Sequence, residues 1–525
     1  MNAGIFFAVV LSGLPLFSVT FPATTNQNYA VVFTAGPGGG RVPQNISSRN
    51  TAVTVTDIPY GTQFTITYTG NTGYNGGSSK NGTVTADETV SHNAASLKMF
   101  SVTFPATTNE NFSVTFTAGG YGGTLPSNVA SRNTATTVSN IPYGTQYSIA
   151  YTGATGYNGG STKTGTVTST HTVSHNAASL KKYTLTVPAT TNQKYTLTLA
   201  TSSVYGGTLP TYTKTATAAA QTINNVPHGT AWTITYTGNT GYNGGASKNG
   251  TITAATTISH NAASLKTYTY TIKSNSSNVN VRTAAVNAGW DEVSKLAVVV
   301  NSGIYVYGSS TSGYAMTISG TFKNGVTLTN NGYIVGRGGA GGKGGNALNS
   351  SGVTADGVAG GAGGTAINLA SDCTIVNNGT IAGGGGGGGG GAAHRGSVTI
   401  TVASTGERKT VYSSTGGSGG GGGRVNGTAG AAGTGSDRNG NAGAAGSLTA
   451  AGDGGEGRSY DSNADSYGGK GGNGGAWGAA GGAGQKGGAT HNSGTAGAGG
   501  AKGKYIAGNS HATWSKTGTR IGGYS

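Results

Sequence analysis

Val326-Thr-Leu-Thr-Asn-Asn-Gly-Tyr-Ile-Val-Gly336 returns 47 residues later as Cys373-Thr-Ile-Val-Asn-Asn-Gly-Thr-Ile-Ala-Gly383, and each copy runs straight into a glycine tract. Apolar residues alternate with polar ones on either side of Asn-Asn-Gly, the pattern of two short strands meeting at a tight turn. Stacked hairpins or β-helix-like rungs therefore lead into the glycine region. Upstream, Leu296-Ala-Val-Val-Val-Asn-Ser-Gly-Ile-Tyr-Val-Tyr307 and Thr317-Ile-Ser-Gly-Thr-Phe322 also read as strands.

The tracts keep a register. From Gly336 to Asn346 the residues other than glycine are Arg337, Ala340, Lys343 and Asn346, each separated by Gly-Gly. The same spacing holds Ala359, Ala362 and Thr365, and again Tyr467, Lys470, Asn473 and Ala476. A period of three matches the three residues per turn of a polyproline-II-type helix. Two of its faces then lack a Cβ, so neighbouring segments can approach until backbone N–H and C=O groups pair between them. Gly383 to Gly391 is bare on every face and suits the middle of such a bundle, spanning roughly 28 Å at about 3.1 Å per residue. A flexible linker is Gly/Ser-rich without register, so an ordered polyglycine-II bundle is expected. Of the 101 glycines, 64 fall in 336–525, whereas all 11 prolines precede residue 228. Collagen, which needs one glycine in three and abundant proline, is excluded.

The first half is repetitive in another way. Phe17-Ser-Val-Thr-Phe-Pro-Ala-Thr-Thr-Asn26 recurs at Phe100–Asn109 and loosely at Tyr183–Asn192; Tyr68–Gly77 recurs at Tyr151–Gly160 and Tyr236–Gly245. Within each copy apolar residues alternate, as in Phe64-Thr-Ile66-Thr-Tyr68, the period of half-buried antiparallel strands. Pro-Tyr-Gly and Tyr-Asn-Gly-Gly supply turns. Six or seven short strands per copy fit a small Ig-like sandwich without the Cys-Trp-Cys signature. The expectation is an all-β chain: an apolar N-terminal segment (1–16), three tandem Ig-like β-sandwich repeats (17–98, 99–181, 182–266), a β-rich connector (267–335) and a C-terminal polyglycine-II helix bundle (336–525).

Catalytic chemistry finds no support. Gly416-Gly-Ser418-Gly-Gly420 meets the nucleophile-elbow pattern only because glycine-rich sequence does so by chance. Carboxylates pair only as neighbours, Asp87-Glu88 and Asp291-Glu292, which point to opposite faces of a strand. One histidine per repeat (His92, His175, His260) is too few ligands for a metal; it reads as a turn-capping or half-exposed residue. No cofactor motif has its βαβ context. A net charge of +16 without dense Lys/Arg runs, and with a lone Arg-Gly-Gly at Arg337, argues against nucleic acid. Cys373 is the single cysteine, so no internal disulfide forms. The apolar run Ile5–Leu11 is too short to span a bilayer and reads as the truncated end of a larger chain rather than a signal peptide.

Segments of ordinary composition interrupt the glycine. Ala392–Thr415 carries His394, Arg395, Glu407, Arg408, Lys409 and Tyr412; 458–467 carries Arg458, Tyr460, Asp461, Asp465 and Tyr467; Ala489–Ala496 carries His491 and Asn492. Arg and Tyr anchor recognition surfaces, and varied loops on a rigid scaffold are a common binding arrangement.

From about Leu296 onward the chain resembles the glycine-rich receptor-recognising adhesins at the tail-fibre tips of tailed bacteriophages. The residues that carry the resemblance are the lead-in ending in Asn330-Asn-Gly-Tyr-Ile-Val-Gly-Arg337, the glycine islands alternating with variable segments, and the end Thr513-Trp-Ser-Lys-Thr-Gly-Thr-Arg520. The resemblance implies a location on the virion and a packed polyglycine bundle. It also implies that the inter-island residues above contact a bacterial outer-membrane protein or lipopolysaccharide, with other tail-fibre or tail-tip proteins as further partners and no integral membrane segment. The three β repeats depart from the family's pattern and are expected to act as a stalk. A bacterial surface adhesin or matrix protein with an Ig-like stalk is the second reading.

Overall fold

A computed structural model describes residues 13–200, 205–459, 467–488 and 491–525. The whole apolar run at 5–11, with the rest of 1–12, and Tyr460, Asp461 and Asp465 therefore lie outside the described residues.

Alternation in the repeats becomes two sheets around one core. In the first, Leu16–Phe21 lies between Val53–Pro59 and Glu88–Thr89, while Ile46–Arg49, Gln27–Thr34, Gln63–Gly70 and Lys80–Thr83 make the second sheet. Val19, Phe21, Tyr29, Val31, Phe64 and Ile66 point between them and are buried. The intervening Thr65 and Thr67 face solvent, as a period of two requires. The second and third repeats have their own equivalent cores. Two-residue strands such as Tyr74–Asn75 and Ser96–Leu97 raise the strand count of the first copy to nine, above the expected six or seven.

The repeated histidine is a tie. His92 Nδ1 lies 3.1 Å from the Tyr68 hydroxyl and its Nε2 lies 2.9 Å from the carbonyl of Pro22. His175 and His260 repeat both contacts.

One joint is used three times. The amides of Lys98, Lys181 and Lys266 bond to the carbonyls of Gly73, Gly156 and Gly241, and the carbonyls of the same lysines accept from Tyr143, His228 and Lys295. Gly73 sits at φ +89° beneath the rings of Tyr121 and Tyr143, where a Cβ would lie within 2.9 Å of both.

Beyond residue 266 the pairing turns parallel. Three five-stranded sheets wind as a solenoid of five turns. One face stacks Thr267–Ile272, Lys295–Val300, Val326–Asn330, Cys373–Asn377 and Ala512–Lys516; the other two run from Ser276–Ser277 to Thr519–Ile521 and from Val279–Asn280 to Gly523–Tyr524. The Asn-Asn-Gly motifs are corners between two faces, so of the two arrangements expected, the rung is the one formed and the hairpin is not. The strand expected at 317–322 lies at Tyr314–Ile318.

Asn330 and Asn377 are fully buried at that corner. Asn330 Nδ2 donates to Asn377 Oδ1 at 2.8 Å, and Asn377 Nδ2 donates to the carbonyl of Thr517 at 2.9 Å. A side-chain amide ladder satisfies groups that an apolar corner would orphan. The one α-helix among the described residues, Val281–Asn287, caps the first turn with Val281 and Ala285 buried, and Asn280 accepts from the amide of Thr283 at its N-terminus. Its seven residues are too short for the sequence to announce by period.

The glycine tracts are insertions in this solenoid. Residues 336–364 leave the third turn and return as Thr365–Leu369; residues 383–503 leave the fourth and return as Lys504–Ala507. The division expected at 335/336 therefore falls inside the third turn, and 365–382 and 504–524 share sheets with 267–335.

Candidate functional site

Backbone bonds give the direction of every tract. Gly336, Gly339, Gly342 and Gly345 donate to Ala382, Gly385, Gly388 and Gly391, so these two tracts run parallel, both away from the solenoid. Gly364, Gly361 and Val358 donate to Arg337, Ala340 and Lys343, so 357–364 runs back. The register decides which neighbour each residue meets: Gly338, Gly341 and Gly344 donate to Val425, Thr428 and Ala431, a different tract from the one met by Gly339 and its kin. Gly383–Gly391 is buried along its length and exchanges such bonds with tracts on all sides, including 358–364, 418–424, 472–475 and 497–503. There is no room for side chains inside: a Cβ on Gly387 would lie 1.9 Å from the carbonyl oxygen of Ala340.

Because the tracts alternate in direction, their connections sort into two ends. Next to the solenoid lie the turns at 424–426, 447–451 and 476–480. The guanidinium of Arg424 stacks 3.5 Å from the Trp477 ring centroid, beside the stacked pair Tyr305–Tyr333. At the far end lie a hairpin of Asn346–Leu348 and Gly352–Ala355, a longer hairpin of His394–Thr401 and Arg408–Thr415, the turn at 434–439, Arg458, Ser459, Tyr467 and residues 491–493.

Several of the residues singled out by sequence meet there. The Arg395 guanidinium lies 3.8 Å from the centroid of Tyr412, and the His491 ring lies 5.8 Å from Tyr412 on its other contact. Asn492–Ser493 adds a short third strand to the hairpin, pairing with Arg395 and His394. Arg408 and Lys409 stand opposite Thr401 and Ile400 in the outer half, both exposed. Arg458 is exposed, and Tyr467 is exposed beside its bridge to Ser459.

His394 is the exception. It is 1% exposed at the base of the hairpin, neither ring nitrogen has a hydrogen-bond partner, and burial lowers its pKa, so it presents nothing to a ligand. The alternation that turns Arg395 outward turns His394 in.

Other surface residues escaped the sequence reading. Leu348, Val358, Ile400 and Val411 are between 42% and 53% exposed at this end. Aliphatic residues in strands read as core, and only the missing layer above them makes them surface. The 346–355 hairpin was detectable as a break in the glycine register.

Among the described residues no catalytic geometry assembles at the positions the sequence offered. Ser418 is buried inside a tract and donates to the carbonyl of Glu456 at 2.7 Å. Asp87 accepts from the amide of Ser18, Asp291 caps the turn at Val293 and Ser294, and Glu292 pairs with Arg282 at 2.6 Å. Among the described residues no three His, Cys, Asp or Glu side chains converge as metal ligands. No helix among them is long and apolar enough to cross a membrane.

Residues 267–525, the solenoid with its insertions, match the family described as phage tail fibre adhesin Gp38. This half of the chain belongs to that family. It is a family of adhesins rather than enzymes, and its place is the tail of the virion. Among solved structures, the gp37-gp38 adhesin tip complex of the bacteriophage S16 long tail fibre is similar at 22% identity over 50% of this chain and 84% of that one, with a TM-score of 0.31. The Bacillus anthracis TIE protein is similar at 14% identity over 48% and 51%, with a TM-score of 0.30. No curated protein matches the chain.

Proposed function

We propose that this tail fibre adhesin holds an outer-surface molecule of its host, an outer-membrane protein or lipopolysaccharide, on the loops at the far end of its glycine-rich head. One observation carries the reading. Leu348, Val358, Ile400, Val411, Tyr412 and Tyr467, each 37–53% exposed, are all at that end. Large apolar groups gathered at one exposed place mark an interaction surface. Arg395, Arg408, Lys409, Arg458, His491 and Asn492 surround them and would supply polar contacts.

The head is read as a polyglycine-II bundle. Its support is the three-residue rhythm with which each tract addresses successive neighbours. The repeats are read as Ig-like modules serving as a stalk, supported by two sheets about one core, of three and four strands in the first two repeats. Another tail-fibre or tail-tip protein would hold the opposite end.

Purified chain added in excess should block adsorption of the phage to its host. Exchanging 392–415 and 458–467 with the corresponding loops of a relative that infects a different host should move adsorption to that host. Unchanged host choice after the exchange would defeat the loop reading.

A further inference from the structure

The long hairpin at the head's far end has an open edge. Its strands pair in full register from His394 opposite Thr415 to Thr401 opposite Arg408, and the amide of Val402 donates to the carbonyl of Glu407 at 2.8 Å. That bond fixes the parity of the ladder: even-numbered residues of the first strand face its partner, and odd-numbered residues face away. Arg395, odd, uses its outer edge to pair with Asn492. Among the described residues the added strand comprises Asn492–Ser493, and no described residue pairs with the outward backbone groups of Ser397, Thr399 and Thr401 further along the same edge. The second strand's outer edge is occupied at its base, where Ser414 exchanges bonds with Asp437 and Arg438.

Native sheets blunt such edges with proline, bulges, charge or a covering loop. Among the described residues none is present on Ser397–Thr401, which is rich in the strand formers Val, Thr and Ile, and the side chain of Ile400 is 46% exposed. An isolated two-stranded ribbon is marginally stable, and an incoming strand would stabilise it. Donors and acceptors recur roughly 6.8 Å apart along such an edge, the two-residue repeat of an extended chain.

We infer that the edge Ser397–Thr401 receives an extended polypeptide segment of a host surface protein, added as a strand in line with Asn492–Ser493. The inference rests on the loop reading above and names the chemistry of its partner. Main-chain bonds supply affinity, and alternate side chains meet Ile400 and Val411 on one face. Arg395, Arg408 and Lys409 outnumber Glu407 on the hairpin, so an acidic segment is favoured. A glycan would leave the aliphatic groups and the regular backbone edge unused.

The test measures binding of the full chain to outer-membrane vesicles from the phage's host, intact or shaved with protease. Thr399→Pro removes one outward amide without touching the hairpin's own ladder, and Thr410→Pro does the same on the opposite edge. Thr399→Pro should weaken binding about tenfold, as loss of an edge donor plus the strand beyond it implies. Thr410→Pro and Thr399→Val should stay within about twofold, the spread expected of surface changes. Shaved vesicles should not bind. Equal losses from the two proline variants, no loss from Thr399→Pro, or undiminished binding to shaved vesicles would each overturn the inference. If the wild-type chain fails to block phage adsorption at all, the loop reading itself fails, which separates the two.

Discussion

Gly388→Ala asks whether the tracts pack as tightly as their hydrogen bonds imply. A Cβ there would lie 1.9 Å from the carbonyl oxygen of Gly472, about 1.5 Å short of the 3.4 Å at which ordinary contact begins. The obstacle is backbone, so one tract must move. Displacing 472 by that amount breaks the bond from the Gly421 amide to the Gly472 carbonyl (2.9 Å) and the one from the Gly472 amide to the Gly389 carbonyl (2.8 Å). Two buried backbone bonds left unmade cost about 2–4 kcal/mol, and overpacking adds about 1 kcal/mol or more. The smaller unfolded-state entropy of alanine returns about 0.4–1 kcal/mol. The net is a loss of about 3 kcal/mol, or roughly 6–12 °C in the melting of a unit of this size. Lys343→Ala is the control: this residue occupies the exposed third position of its tract and should change stability by less than about 0.5 kcal/mol. Circular dichroism and calorimetry of the full chain, with the head transition followed through Trp477 fluorescence, would measure both. If Gly388→Ala and Lys343→Ala melt together, the tracts are not in contact and the packed head is refuted.

Three further outcomes follow from single sites. Gln27 and Gln193 accept from the amides of Gly77 and Gly245 and donate to the carbonyls of Asn93 and Asn261, but the second repeat has buried Glu110, which accepts from Gly160 and has no amide to donate. Glu110→Gln should stabilise that repeat by about 1–2 kcal/mol, the value of one recovered buried bond, read as slower hydrogen exchange in Glu110–Thr117; unchanged or faster exchange contradicts it. Asn377→Ala should cost about 3 kcal/mol because it removes the acceptor of the shorter Asn330 amide bond and the side-chain donor to the carbonyls of Thr517 and Thr519, whereas exposed Asn378→Ala should cost less than about 0.5 kcal/mol; equal urea midpoints would deny the ladder its role. Burial pushes the Cys373 thiol up to about 12, so at pH 8 only about one molecule in ten thousand carries the reactive thiolate, and Ellman's reagent should react only after unfolding. Since the folded pKa is the higher one, any stabilisation from keeping the thiol neutral is complete below the unfolded value and fades as pH rises toward 12.

The parts of this fold that depend on local period were legible in the sequence. Phe64 and Ile66 announce a buried strand face by alternation, and Arg337, Ala340 and Lys343 announce a three-residue repeat. What stayed hidden depends on partners far away in the chain. The corner at Asn330 is a rung because Asn377 and Thr517 lie over it, 47 and 187 positions on; Asn-Asn-Gly alone is equally a hairpin turn. The same limit governs the candidate site. Arg395 and Tyr412 were visible as residue types, but the stacking between them follows from hairpin register. His394 looked equivalent to Arg395 until parity buried it. Ile400 and Val411 are aliphatic residues in strands, and only the lack of a covering layer among the described residues leaves them exposed.

The solenoid and its insertions divide the labour of the adhesin in a way that composition alone conceals. Stability of the last 259 residues has two sources: a hydrophobic core shared by solenoid strands from Ile272 to Ile506, and a backbone lattice that uses almost no side chains. The lattice fixes the ends of every far loop, because each loop joins one outgoing tract to one returning tract. A loop can therefore change length or sequence without altering any lattice contact, provided its flanking glycines stay in register. The opposite end has no such freedom. Its turns carry Arg424, Val425, Leu448 and Trp477, which pack with Tyr305, Tyr333 and Val335 of the solenoid, and Val425 is held at φ +79° to do so, a conformation costly for a β-branched residue. Strain and packing are concentrated where the head meets its base, and variation is left to the end that faces away from it.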